Sequence, residues 1–311
     1  MSPRRSAFID VGTNTVLCLI ADIRETGRFR VLADLADISR LGQGVDRTRR
    51  ISAEGEQRTL EILERYRDHC QSLGVEEVFA VGTSALRDAE NRAEVRARLH
   101  TKLGFEIRVI SGAEEATYSF LAVTRGLALT GRELLVIDIG GGSSEFIRGN
   151  DAGVSQVLSV DVGSVRLTER FLHADPVRGD EVAAMLAAID RGLAPVMASL
   201  ASTNAALTLV GIAGSFTTVA AIEKRLVNYS HSQVHGSRLS LGEVRRQIQL
   251  FREKTIEERK QIAGLEAKRA DVIFAGACLI ERIMTLFHAE SVVVSDQGVR
   301  YGLLHERAQS L

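Results

Sequence analysis

A short pattern occurs twice in this chain, and that duplication restricts the fold more than any other feature. The first copy runs Ala7-Phe-Ile-Asp10-Val-Gly12-Thr13-Asn14-Thr15-Val16, and the second runs Leu135-Val-Ile-Asp138-Ile-Gly140-Gly141-Gly142-Ser143-Ser144. Each is a β-branched apolar run ending in aspartate, then a turn of glycine and small hydroxyl residues, then further apolar sequence. That reads as strand, tight turn, strand. The aspartates are 138 − 10 = 128 residues apart in a chain of 311, about one domain length at roughly 150 residues per domain. Two related halves are expected, residues 1–127 and 128–298, with the loop-prone stretch Gly126 to Gly131 as the boundary.

Around the hairpins, strand and helix patterns alternate. Leu60, Leu63, Tyr66, Cys70 and Leu73 fall at three- and four-residue steps, which predicts a helix over Ser52 to Leu73 ended by Gly74. Helices are also predicted over Leu86 to Leu103, Ser111 to Val123, Glu181 to Leu200, Phe216 to Arg225, Leu241 to Ile262, Ala270 to Phe287 and from about Val299. Strands are predicted over Val78 to Val81, Ile107 to Ile110, Thr208 to Ile212 and Ser291 to Val294. The fold class is α/β with mixed sheets.

Composition removes whole classes. With 45% hydrophobic and 25% charged residues, the chain is neither disordered, collagen-like nor disulfide-stapled. Its net charge of −1 gives no general basic field for nucleic acid or a membrane surface, so a polyanion must meet a local site. Cys18, Cys70 and Cys278 fit neither a disulfide framework nor a zinc set, and predict a reducing cytoplasm. The run before Asp10 is too short for a signal peptide. The apolar stretch Val272 to Ile280 stops at Glu281-Arg282, short of the ~20 residues of a membrane span. A soluble protein is expected.

The strongest chemical signal is Asp138-Ile-Gly-Gly-Gly-Ser-Ser-Glu145. Three glycines leave backbone N–H groups unobstructed for an oxyanion, and Ser143 and Ser144 add hydroxyls. A turn centred between Ile139 and Ser144 sets Asp138 opposite Glu145, and two carboxylates beside a phosphate cradle suit Mg²⁺ or Mn²⁺. The bland alternative is a flexible hairpin turn. The first hairpin is a weaker copy: Gly12, Thr13, Asn14 and Thr15 form a second candidate phosphate loop, Asp10 its one carboxylate, and position 10 + 7 = 17 is Leu17 where the second copy has Glu145. Two such loops facing across a cleft would suit a substrate with several linked phosphates.

Ser111 and Glu114 fit a capping box, which occupies Glu114 and leaves Glu115 about 100° further round the helix. Glu115 is either a base for an attacking water or a second charge complementing the helix dipole. Arg87 is either a phosphate clamp or a helix-surface residue. Gly211-Ile-Ala-Gly214-Ser215 is a weak third anion or nucleotide site. His231 and His235 share i, i+4 spacing without the glutamate of a metalloprotease motif. Among the basic pairs, Lys268-Arg269 is the one placed to line a cleft.

Several segments together resemble the exopolyphosphatase/guanosine pentaphosphate phosphatase (Ppx/GppA) family. They are Ile9-Asp-Val-Gly-Thr-Asn-Thr15, Leu41-Gly-Gln-Gly-Val45, Gly82-Thr-Ser-Ala-Leu-Arg-Asp-Ala-Glu-Asn-Arg92, Val109-Ile-Ser-Gly-Ala-Glu-Glu-Ala116 and Val136-Ile-Asp-Ile-Gly-Gly-Gly-Ser-Ser-Glu145, then Val162-Gly-Ser-Val-Arg-Leu-Thr-Glu169, Val210-Gly-Ile-Ala-Gly-Ser215, His235-Gly-Ser-Arg-Leu239 and Arg269-Ala-Asp-Val-Ile-Phe-Ala-Gly-Ala277. The resemblance covers about Ala7 to Leu304. It implies two ribonuclease-H-like domains of the actin-like ATPase superfold (sugar kinase, heat-shock chaperone, actin) around a central cleft. It also implies that the last helix, about 299–311, packs on the first domain. In the family the second glutamate of the segment matching Ser111 to Glu115 is the base, here Glu115, and the acids flanking the glycine-rich loop, here Asp138 and Glu145, serve the metal; Asp10 of the first hairpin is a further candidate for placing it. Many members have an arginine where this chain has Leu17.

The expected activity is a Mg²⁺-dependent phosphoanhydride hydrolase. It would release terminal orthophosphate from inorganic polyphosphate, or the 5′-phosphate of guanosine pentaphosphate. A non-hydrolytic phosphate-binding regulator and an ATP-dependent small-molecule kinase on the same fold are the competing readings. The sequence does not set the oligomeric state, a homodimer included.

Overall fold

The structure, a computed structural model, describes residues 3–127, 129–201 and 207–310. Ala128, within the expected boundary stretch, and Leu311, the end of the expected last helix, lie outside the described residues. In chain order the first elements are β1 (Arg4–Val11), β2 (Thr15–Ile23), β3 (Phe29–Ile38), α1 (Val45–Thr48), α2 (Ala53–Ser72), β4 (Glu77–Gly82), α3 (Ser84–Asp88), α4 (Arg92–Leu103), β5 (Ile107–Val109) and α5 (Gly112–Gly126). Next come β6 (Glu133–Ile139), β7 (Ser144–Asn150), β8 (Gly153–Val160), α6 (Ser164–Phe171), α7 (Gly179–Val196), β9 (Leu207–Ile212) and α8 (Ala213–Glu223). The last are α9 (His231–Val234), β10 (Arg238–Ser240), α10 (Leu241–Arg252), α11 (Ile256–Arg259), α12 (Ile273–Leu286), β11 (Ser291–Val294) and α13 (Val299–Gln309).

The described chain forms two compact units. One comprises Met1–Arg125 with Gly298–Leu311, the other Gly126–Gln297. The sheet of the first unit has the order β3-β2-β1-β4-β5, and that of the second β10-β11-β9-β6-β7-β8. In each, two antiparallel hairpin pairings precede two parallel ones. The order around β6 thus repeats the order around β1, and β10 is one added antiparallel edge. This is the mixed-sheet order of a ribonuclease-H-like unit, built twice.

Central strands read as near-continuous apolar runs because they are covered on both faces. In the first unit, one face carries Ile9, Val11, Cys18 and Ile20 under Leu63, Tyr66 and Leu99. The other carries Phe8, Leu19 and Val81 under Tyr118, Tyr301 and Leu304. α13, the last element of the chain, closes this second face, and its Arg300 bonds Asp34 of β3 at 2.8 and 3.1 Å, with Tyr301 donating to the same carboxylate at 2.9 Å. Gly302 lets α13 approach α5, since a Cβ there would stand 2.2 Å from the Tyr118 carbonyl oxygen.

Several expected helices differ in extent. The stretch Leu86 to Leu103 is two helices, because Asn91 exchanges hydrogen bonds with the backbone of Ile51 at 2.9 Å in both directions and holds the chain out of helix. Leu241 to Ile262 divides where Thr255 and Glu258 form a capping box that starts α11. Strands β3 and β8 carry half-exposed, irregular patterns that periodicity alone does not separate from loop. One helical stretch, Gly179–Leu200, is long and apolar enough by length and composition to cross a membrane, with a mean hydropathy of 1.4. Its buried side chains Val182, Met185, Ile189, Leu193 and Val196 recur at helical spacing and join the core of the second unit. On its other side Asp190 pairs with Arg282 at 3.3 Å.

Overfilling the α5–α13 contact should be costly. Gly302→Ala is expected to destabilise the protein by about 1–3 kcal/mol, the usual range for an added methyl in a packed interface; urea denaturation measures it.

Candidate active site

In the first unit, Asp10 is the penultimate residue of β1, and past Val11 the chain reverses through Gly12, Thr13 and Asn14. The Gly12 amide donates to the Thr15 carbonyl at 3.0 Å. The carbonyls of this loop are engaged from behind: Asn14 accepts from the amides of Ser39 and Arg40 at 3.0 Å, and Thr13 from that of Gly42 at 2.8 Å. Gly42 is required there, since a Cβ would lie 2.3 Å from the Thr13 methyl. With the Thr13 and Asn14 carbonyls bound to protein, this side of the loop is closed to a ligand and backbone donors are left for the other, the requirement for an anion site.

Asp10 is only partly exposed, and its Oδ1 is sealed from solvent without a hydrogen-bond partner. Burial raises its pKa to about 6, against the lowering effect of Arg300. The capping box on α5 is present as expected: Ser111 N–H donates to Glu114 at 2.9 Å, and the Glu114 amide to Ser111 Oγ at 3.2 Å. Glu114 is thereby turned to Ser111 and Arg108, and Glu115 faces inward, only 9% exposed. Arg87, from α3, donates to Glu115 Oε2 at 2.9 Å and to the Ile110 carbonyl at 3.2 Å. Burial pushes the Glu115 carboxyl up, Arg87 pulls it down, and Asp10 and Asp88 push it up further. The first unit therefore gathers Asp10, Arg87 and Glu115 into one electrostatic cluster, and Arg87 is neither a bare surface residue nor independent of Glu115.

In the second unit, Asp138 pairs with Glu145 across the β6–β7 hairpin, and Gly140 N–H donates to the Ser143 carbonyl at 3.0 Å. The start of α6 takes up the loop's carbonyls. Ser164 N–H donates to Gly140 at 3.0 Å, and Val165 and Arg166 N–H to Gly141 at 2.9 and 3.0 Å. Arg166 Nε donates to Gly142 at 2.7 Å. Gly163 makes the approach feasible, since a Cβ would meet the Gly141 oxygen at 2.4 Å. The serine hydroxyls are committed within the protein: Ser144 to the Val162 carbonyl at 2.6 Å, Ser143 to Glu145 at 2.9 Å. Ser159 also donates to that Glu145 oxygen at 2.8 Å. What Ser143 and Ser144 bring to the loop is therefore chiefly its shape.

Sequence reasoning gave no role to Gly163, Arg166, Gly42 or Arg300, although three of the four lie in segments that carried the family resemblance. Their signal is long-range: each acts on a loop or a carboxylate far along the chain. The remaining candidates have plain structural surroundings. His231 and His235 meet on Asp296 at 2.6 and 3.1 Å, and His235 also contacts the Gly126 carbonyl at 3.1 Å. Arg269 lies over the turn that opens α8, where a Cβ on Gly214 would be 2.1 Å from its guanidinium. Among the described residues no three His, Cys, Asp or Glu side chains cluster as a metal site.

The Ppx/GppA phosphatase family profile matches residues 19–311. Exopolyphosphatase 2 of Mycobacterium tuberculosis is 35% identical over 294 residues, which is 91% of each chain. An exopolyphosphatase structure from Cytophaga hutchinsonii superposes with a TM-score of 0.91 at 31% identity over 99% of both chains. The Aquifex aeolicus Ppx/GppA family member gives 0.81 at 32% identity, covering 99% of this chain and 98% of that one. Two duplicated α/β units with paired glycine loops, and these likenesses over nearly the whole length, define the class: the chain belongs to the Ppx/GppA phosphatase family, on the actin-like ATPase superfold. It is a hydrolase of phosphoanhydride bonds.

The backing of the second loop is open to direct test. Gly163→Ala is expected to displace the Gly140–Gly142 loop and weaken orthophosphate binding, with a stability loss of about 1–3 kcal/mol. Calorimetric titration with orthophosphate reads the first effect and thermal melting the second.

Proposed function

We propose that this protein removes terminal orthophosphate from inorganic polyphosphate, with the 5′-phosphate of guanosine pentaphosphate as the other substrate presenting the same anhydride. The observation that carries the reading is Glu115: a buried carboxylate, held by Arg87, in the same electrostatic cluster as Asp10 beside a loop whose acceptors are already engaged. In this reading the first loop holds phosphate oxygens through the N–H and hydroxyl groups of Thr13, Asn14 and Thr15, with Gly12 closing the turn, and the loop Gly140 to Ser144 is the second phosphate-binding candidate. Arg87 contacts a phosphate as well as the base. Glu115 accepts the proton of a water as its oxygen attacks the terminal phosphorus; the new P–O bond forms as the bridging P–O bond breaks.

The unpartnered Asp10 Oδ1 fits a hard divalent cation, Mg²⁺ or Mn²⁺, and the Asp138–Glu145 pair on its own hairpin offers the same oxygen-donor chemistry. Magnesium sites commonly use one or two carboxylates with the substrate's own phosphates, so a preformed three-carboxylate cluster is not required. Such an ion supplies neutralisation of charge developing on the phosphate oxygens. Three free, buried cysteines suit a reducing cytoplasm.

Glu115→Gln is expected to keep the fold and lower orthophosphate release by about 10²–10⁴, the usual range for general-base catalysis. Release from long polyphosphate, short polyphosphate and guanosine pentaphosphate with Mg²⁺ or Mn²⁺ measures it; undiminished release removes Glu115 from the chemistry. The raised Glu115 pKa sets the pH dependence. The base is lost by protonation as pH falls through a value above the ordinary glutamate pKa of about 4.3. The acid limb of kcat/KM should therefore lie above that value, and the residual rate of Glu115→Gln should lack it.

A further inference from the structure

α3 grows out of β4 directly beside the first glycine loop. Thr83, its N-cap, donates its amide to the Val11 carbonyl at 3.2 Å, and a Cβ on Gly42 would be 3.3 Å from Ala85 of α3 as well as against Thr13. Arg87 is thus carried on an element packed against the loop, yet its guanidinium is engaged by Glu115 at 2.9 Å. Its side chain is 27% exposed and that of Glu115 11%, so an anion arriving from solvent meets the arginine before the carboxylate. A phosphate is a stronger partner for a guanidinium fork than one carboxylate oxygen.

We infer that the terminal phosphate and Glu115 compete for Arg87: docking of substrate at Gly12 to Thr15 draws the guanidinium off the base. This rests on the hydrolase reading above and adds a coupling to it. The groups facing Glu115 are Arg87 and Asp88 from α3 and Asp10 from β1, while Glu114 on its own helix is turned to Arg108. When Arg87 moves to the phosphate, the Glu115 carboxylate loses its hydrogen-bonded partner and is free to take the proton of a water. Binding energy from the terminal phosphate thereby releases the base at the moment water must be deprotonated. Arg87 acts in this scheme as a positioning residue for Glu115 in addition to its contact with substrate.

A double-mutant cycle on binding tests this without turnover. Orthophosphate and the non-hydrolysable imidodiphosphate are titrated calorimetrically, at fixed Mg²⁺, into the wild type, Glu115→Gln, Arg87→Met and the double variant. Removing the competitor for Arg87 should tighten binding in Glu115→Gln on the order of tenfold, and that gain should vanish in the Arg87→Met background, the coupling expected of residues in contact. An equal gain in both backgrounds would reduce the effect to loss of a nearby negative charge and overturns the inference, as does no gain at all. Arg87→Gln replaces Arg87→Met if the latter does not fold. Failure of the underlying reading is distinguishable, because it appears as undiminished orthophosphate release by Glu115→Gln.

Discussion

Both glycine loops depend on one constraint: backbone carbonyls must find donors inside the protein before the opposite side of the loop can serve an anion. A glycine turn alone is floppy and presents acceptors and donors alike. Here Ser39, Arg40 and Gly42 take the carbonyls of Thr13 and Asn14, and the first residues of α6 with the Arg166 side chain take those of Gly140, Gly141 and Gly142. Satisfying buried carbonyls is obligatory in any fold. What is particular to this one is that the donors come from segments placed behind the turns, so that satisfaction and orientation are achieved by the same bonds. The glycines at 42 and 163 then follow from distance: the backing segment must come closer than a Cβ permits.

The carboxylates show the complementary logic. Burial disfavours the charged form of Asp10 and Glu115, and each has an arginine acting against that penalty, Arg300 for Asp10 and Arg87 for Glu115. The two arginines differ in their commitments. Arg300 is tied in two bonds to Asp34 within the sheet, a buried pair whose breakage by loss of one partner costs about 3–5 kcal/mol. Arg87 holds Glu115 through one nitrogen from a five-residue helix. The first ties α13 to the sheet; the second links Glu115 to the Ile110 carbonyl.

Local rules reached much of this. The capping box of Ser111 and Glu114 separates the two adjacent glutamates correctly, because a cap is a matter of three residues. The Asp138–Glu145 pairing follows from turn length and strand alternation, as does the equivalence of Leu17, which stands opposite Asp10 in the register of β1 and β2. Illegible features involve partners far along the chain. Asn91 breaks a predicted helix because it matches the backbone of Ile51, forty residues earlier in the chain. Arg166, Arg300 and the neighbourhood of Arg87 likewise need the folded chain to acquire meaning; periodicity and composition carry no information on which loop an arginine will reach.

The two copies of the hairpin differ in the acids they carry. In the second hairpin the acid opposite Asp138 is Glu145, so the turn carries two carboxylates on one hairpin. In the first, Leu17 opposite Asp10 contributes nothing polar, and Asp10 would face burial alone. The unit supplies the missing groups from helices: Glu115 from α5, Arg87 from α3 and Arg300 from α13, the last drawn from the far end of the chain to close the sheet face that α5 also covers. A hairpin carboxylate is fixed by the strand pair that bears it, whereas a carboxylate on a helix can sit against a separately mounted arginine.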